Sequence, residues 1–156
     1  MKKILIGLSA LILIVIGYLF WYYTSSGDEE IHLLPDNFIG VVFIRFEMKG
    51  GVSERFENRK RVYEIPSSGI LDTKFKVNEG WRSQAEFYYV KGINRTRIDT
   101  NKVQIYGQQI GESVSNVNNK KTTFISYIIC PKEKADSLYK IMEKIHISDY
   151  SETKKL

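Results

Sequence analysis

His32, His146 and Cys130 are the chain's ready-made acid–base and nucleophilic groups; it has two histidines and one cysteine. General acid–base catalysis needs a base tuned near neutrality, and nucleophilic catalysis needs a group for that base to activate. His32 lies in a short apolar stretch, Ile31 to Leu34, and reads as a surface or half-buried structural residue. His146 follows an amphipathic segment and, when charged, suits the carboxyl end of a helix. Cys130 follows Ile128 and Ile129. An apolar setting raises a thiol's pKa and leaves it inert, so Cys130 reads as a buried structural cysteine. A single cysteine also excludes an intramolecular disulfide framework and a cysteine-only metal cage.

Longer catalytic motifs are absent from the sequence. Gly50-Gly51 stands alone, and Gly107 to Gly111 (GQQIG) lacks the spacing of a phosphate cradle. No HExxH, GxSxG or EF-hand loop occurs, and the carboxylates are scattered rather than paired. The sequence predicts no catalytic residue, no metal ligand and no cofactor, hence a protein that is not an enzyme.

What remains is binding chemistry. Trp81, Phe87, Tyr88 and Tyr89 are close in sequence, and such rings on adjacent strands can form a platform for a carbohydrate or peptide. The plainer expectation is that Phe87 and Tyr89 pack inward while Tyr88 faces water, and that Trp81 caps the core. Arg55, Arg59, Lys60 and Arg61 form the densest basic cluster, diluted by Glu54 and Glu57. It reads as a solvated loop, with a site for anionic lipid or polymer as the alternative. Trp81, Tyr88, Arg59 and Arg61 are therefore the candidate partner-binding residues. The net charge is +5, and Lys2 and Lys3 supply two of those charges. An excess this mild and interspersed does not fit a nucleic-acid binder.

These side chains need a scaffold, and the chain divides into two parts. Residues 1–27 hold the apolar run Ile4 to Tyr23 and a polar spacer; residues 28–156 form one β-rich domain. The run carries no charge over twenty positions, enough for a helix to cross a bilayer of about 30 Å. Lys2 and Lys3 precede it, and Tyr18, Trp21, Tyr22 and Tyr23 crowd its far end. That arrangement predicts a single-pass signal anchor with a cytoplasmic amino terminus and an extracytoplasmic domain. Cleavage near Thr24 and Ser26, followed by secretion, is the alternative.

In the domain, Val41 to Glu47, Arg61 to Ile65, Ile70 to Val77, Glu86 to Lys91 and Thr122 to Cys130 have the composition or alternation of strands. Thr96 to Asp99 and Lys102 to Tyr106 are shorter strand candidates. From Pro131, apolar residues Ala135, Leu138, Ile141, Met142 and Ile145 recur at helical spacing, which predicts an amphipathic helix of about four turns. Seven or eight strands without βαβ units predict a mainly β fold, an antiparallel sandwich or barrel with one carboxyl-terminal helix.

The runs HLLPDNFIGVVFIRF, RVYEIPSSGILDTKF and GWRSQAEFYYV, over roughly Ile31 to Ile98, resemble an uncharacterised bacterial family, domain of unknown function 6843. The resemblance implies an exported or membrane-anchored domain and brings no activity with it. Many relatives resemble lipoproteins, and the lack of a cysteine near residue 25 departs from that pattern. The functional expectation is a membrane-anchored extracytoplasmic, non-catalytic domain that binds an envelope protein or cell-wall polymer. An immunity or inhibitor protein at the membrane, or a small envelope enzyme using Cys130 or His32, are the alternatives.

Overall fold

A computed structural model describes residues 2–24, 27–78, 85–116 and 118–150, with the side chains of 2–10 and 23–24 excepted. Trp81, expected to cap the core, lies with its neighbours 79–84 outside the described residues.

Among the described residues, helix α1 (Lys2–Thr24) precedes nine strands. Among the residues whose side chains are described, no helix is long and apolar enough to cross a membrane. Strands β1 (Glu30–Pro35), β3 (Phe56–Glu57), β4 (Lys60–Glu64), β6 (Glu86–Lys91) and β7 (Asn94–Arg97) form a five-stranded sheet in the order β3-β4-β1-β6-β7. Strands β2 (Gly40–Arg45), β5 (Ile70–Asp72), β8 (Gln104–Val114) and β9 (Lys121–Cys130) form a second sheet in the order β5-β2-β9-β8.

The sandwich is mixed rather than antiparallel throughout, and among the described residues no barrel closes. β1 pairs parallel with both β4 and β6, and β2 pairs parallel with β5. The expectation assumed that parallel neighbours need a helical crossover. Here the chain returns through the opposite sheet: β2 separates β1 from β4, and β5 separates β4 from β6. β1, β4 and β6 therefore run one way without any helix between them, flanked by the antiparallel β3 and β7. We call the end where β1, β4 and β6 start the near end, and the end where they finish the far end.

Alternation sets the core. Val42, Ile44 and Phe46 from one sheet meet Leu34, Tyr63 and Phe87 from the other. In β9, Ile125, Tyr127 and Ile129 face this core, while Ser126, Ile128 and Cys130 are buried on the opposite face. Double-sided burial is what a central strand requires, and β9 lies between β2 and β8.

The predicted strand Ile70 to Val77 is strand only as far as Asp72. Leu71, Thr73 and Phe75 still point inward, at 4%, 1% and 2% exposure. Past Asp72 the segment bonds to the irregular loop after β2, with Met48 N donating to Thr73 O and Glu47 N donating to Phe75 O. The carboxyl-terminal helix is also shorter than expected. Pro131 is extended, a 3-10 turn follows (Lys132–Lys134), and α2 covers Ala135–Lys144. No residue of α2 is buried, but Ile147 just beyond it is 1% exposed. Arg45 fastens this tail: its guanidinium donates to the carbonyls of Ile147 (3.0 Å) and Tyr150 (2.7 Å) and grips the Asp72 carboxylate at 2.5 and 2.7 Å.

Candidate functional site

His32 is fully buried, not half-buried. Strand β1 points His32, Glu30 and Leu34 inward, and its ring stacks on Phe87 at 4.7 Å between Tyr63 and Tyr127. Nδ1 lies 2.8 Å from the Tyr127 hydroxyl, and Nε2 lies 3.4 Å from a Glu30 carboxylate oxygen. Asn78 donates to the other Glu30 oxygen at 2.8 Å. This polar chain is sealed inside the sandwich, so His32 cannot meet a substrate. Cys130 is also buried, and burial pushes its thiol pKa up, away from nucleophilic chemistry. Among the described residues, no group of three or more histidine, cysteine or acidic side chains is placed to hold a metal ion.

Among the described residues, the candidate partner-binding side chains Tyr88, Arg59 and Arg61 are dispersed. Phe87 and Tyr89 face the core, and the Tyr89 hydroxyl donates to Phe38 O at 3.0 Å. Tyr88 lies on the outer face, where its hydroxyl donates to Glu86 at 2.9 Å. Arg59 sits in the turn between β3 and β4 with φ +66°. Arg61 faces inward at the near end, bonded to Asp28 at 2.8 Å, with its guanidinium 5.0 Å above the Phe75 ring. Tyr88 and Arg61 therefore occupy opposite faces of one sheet and cannot share a ligand.

The basic cluster is neutralised mostly by acids from outside it, with Glu57 the one interleaved acid that pairs within it. Arg55 pairs with Glu57 and Glu64, Lys60 bridges Glu29 (2.7 Å) and Glu86 (2.8 Å), and Arg95 takes Glu57 through two bonds of 2.6 and 2.9 Å. Hydrogen bonding to Arg95 is the largest cause that holds the Glu57 carboxyl at about 2. This lattice lies over a small apolar cluster of Ile31, Leu33 and Val62.

The described residues form a concavity at each end of the sandwich. At the far end, Leu33, Pro35, Val90 and Ile93 line a recess of about 490 Å³, rimmed by Glu64 and Arg95. Ile93 is 98% exposed at the tip of the β6–β7 hairpin. Gly92 (φ +61°) precedes it, as a two-residue type II′ turn demands. At the near end, Gly27, Asp28, Glu47, Arg61, Lys76 and Asn78 line a polar basin of about 570 Å³.

The Family of unknown function (DUF6843) matches residues 26–138, which hold both sheets and both concavities. The chain belongs to that family. A crystal structure named "Putative Lipoprotein from Bacillus anthracis" shares the fold of this family member with a TM-score of 0.56 and 17% identity. The likeness covers 76% of this chain and 94% of that one. No curated protein matches.

Sequence reasoning missed the concavities of this DUF6843 domain. The recess had one signal: in Lys91-Gly92-Ile93-Asn94, an isoleucine stands at a turn centre where glycine, asparagine or aspartate is usual. The basin had none, because its residues come from four separate loops and strand ends that only the parallel pairing gathers at one end.

Proposed function

We propose that this chain is a membrane-tethered, extracytoplasmic binding domain that holds a partner protein at its far end and performs no catalysis. Lys2 and Lys3, the uncharged run Ile4 to Tyr23 and the helical course of α1 support the tether. Tyr18, Trp21 and Tyr22 cluster near the end of α1, as an interfacial aromatic belt would. The name of the Bacillus anthracis neighbour fits an envelope location. Burial of His32 and Cys130 argues against the enzyme alternative.

The single observation that carries the binding role is the recess beside Ile93. A nearly fully exposed isoleucine next to an aliphatic floor and a charged rim has the anatomy of a protein interface. A sugar polymer would want aromatic faces, and the recess walls are aliphatic. The recess lies at the end of β1 opposite to the chain's passage from α1, so it would face away from the bilayer.

A photo-crosslinking residue at Ile93 in the full chain should give one discrete protein adduct in membranes, weakened by Arg95→Glu. The same residue at Lys74, at the near end, should give none. Adducts from both positions, or from neither, would discard the recess. Protease added to intact spheroplasts should digest the domain; protection until lysis would discard the topology.

A further inference from the structure

We propose that the near-end basin binds a zwitterion, a small group carrying an ammonium and a phosphate or carboxylate a few ångströms apart. Its volume of about 570 Å³ suits a small molecule. Two cations, Arg61 and Lys76, and two carboxylates, Asp28 and Glu47, line the same space. Arg61 is fixed by Asp28 at 2.8 Å, by the Lys76 carbonyl at 2.6 Å and by the Phe75 ring beneath it. Lys76 and Glu47 form no ion pair with any described residue, or with each other. Among the described residues, Lys76 and Glu47 therefore bring one unpaired charge of each sign to the lining of the basin.

The floor is built rather than incidental. Asn78 is 2% exposed, and its side chain holds the Asp28 backbone from both sides, at 2.9 and 2.7 Å, and Glu30 at 2.8 Å. Glu47 stands in the left-handed region at φ +54°, unusual for a residue with a side chain, and its N–H is pinned to Phe75 O at 3.0 Å. A simple anion entering the basin would meet Asp28 and Glu47, and a simple cation would meet Arg61 and Lys76. Like-charge contact of this kind excludes wrong ligands, and a group bearing both signs avoids it.

Two sources carry this chemistry. Gly27 lines the basin three residues after α1 ends. With α1 in a bilayer, the basin would lie at headgroup level and meet phosphoethanolamine lipids. A short peptide with free termini is the soluble source. The choice between sources rests on the tethered reading above; the zwitterion itself does not.

Calorimetric titration of the full chain in detergent micelles tests it, with phosphoethanolamine, diglycine, ethanolamine and glycerol phosphate as probes. At least one of the first two should bind saturably, and at least tenfold more tightly than either single-charge probe. Glu47→Gln and Lys76→Gln, both at exposed positions, should each weaken that binding roughly tenfold while leaving the unfolding midpoint unchanged. Phosphoethanolamine ahead of diglycine assigns the lipid headgroup, and the reverse assigns the peptide. Single-charge probes binding equally well, no saturation with any probe, or variants that bind like the parent would each overturn the proposal. These readouts do not depend on membrane topology, so a failure in the spheroplast experiment leaves them standing.

Discussion

Tyr127 and His32 bind one another across the sandwich, the hydroxyl 2.8 Å from Nδ1, and so join β9 of one sheet to β1 of the other. Burial pushes the Tyr127 pKa far up, so the hydroxyl keeps its proton. The Glu30 carboxyl lies at Nε2 and the Tyr127 hydroxyl at Nδ1, so each ring nitrogen has one hydrogen-bond partner. Tyr127→Phe removes one partner of a pair with no access to water. Leaving a buried group unpaired costs about 1–3 kcal/mol. Chemical denaturation should show that loss, and an unchanged midpoint would mean that the bond contributes nothing.

Arg45 holds four acceptor atoms from 4% exposure, and Asp72 depends on it. Arg45→Met keeps the aliphatic stem but strands the carboxylate, and because Asp72 is 20% exposed the loss should fall below about 3–5 kcal/mol, the cost of breaking a fully buried pair. Residues 147–150 should then exchange their amide hydrogens faster than the rest of the domain. Equal protection there would show that the tail is held by Ile147 alone.

Glu57 gives the domain an acid-sensitive element. Its folded pKa of about 2 lies below the ordinary glutamate value near 4.3, through its bonds to Arg95 and the nearby Arg55. The stabilisation is complete above the unfolded value and is lost as pH falls through the folded one. Between pH 5 and pH 2, Glu57→Gln should lose less stability than the parent. The difference will be small because both partners are partly exposed. Parallel pH profiles for the two proteins would remove Glu57 as a cause.

Gly69 has φ +76°, and a Cβ there would lie 2.3 Å from the Val41 carbonyl oxygen. Gly69→Ala therefore meets both backbone strain, about 1–2 kcal/mol, and a clash with main chain that cannot rotate away. Gly92→Ala, with φ +61° and open space, meets the strain alone. The first should lower the melting temperature more than the second. Equal losses would mean that β2 shifts to make room.

Much of this was legible beforehand, and the reasons differ by element. Glu86–Lys91 matched to the residue because its aromatic run is bounded by turn residues. The inward Phe87 and outward Tyr88 followed from period-two alternation. Strand β8 runs eleven residues where only Lys102 to Tyr106 was expected. It lies at a sheet edge and holds Gly107, Gln108, Gln109 and Gly111, so it buries too little to show a pattern. The bulge between Tyr106 and Gln109 also breaks its alternation. Parallel pairing was hidden because periodicity reports which face a side chain takes, not which strand lies beside it. The charged lattice over Ile31 and Val62 disguised that face as solvent-exposed, since arginine and lysine stems can cover apolar surface.

The alternation of the chain between sheets has a consequence for how the domain comes into being. A hairpin can fold as soon as its turn is made, but β1 must wait for β4 and β6 before it has neighbours. Likewise β2 waits for β9, more than seventy residues later, for its antiparallel partner. For β1 and β2, loop closure comes before contact, which slows folding. A domain threaded across a membrane from its amino-terminal side would therefore carry β1 without neighbours on both edges until β6 had crossed, and β2 without its antiparallel partner until β9 had crossed. The basic and acidic residues that later lock over β1 would meanwhile be what keeps those segments from pairing with a neighbouring chain.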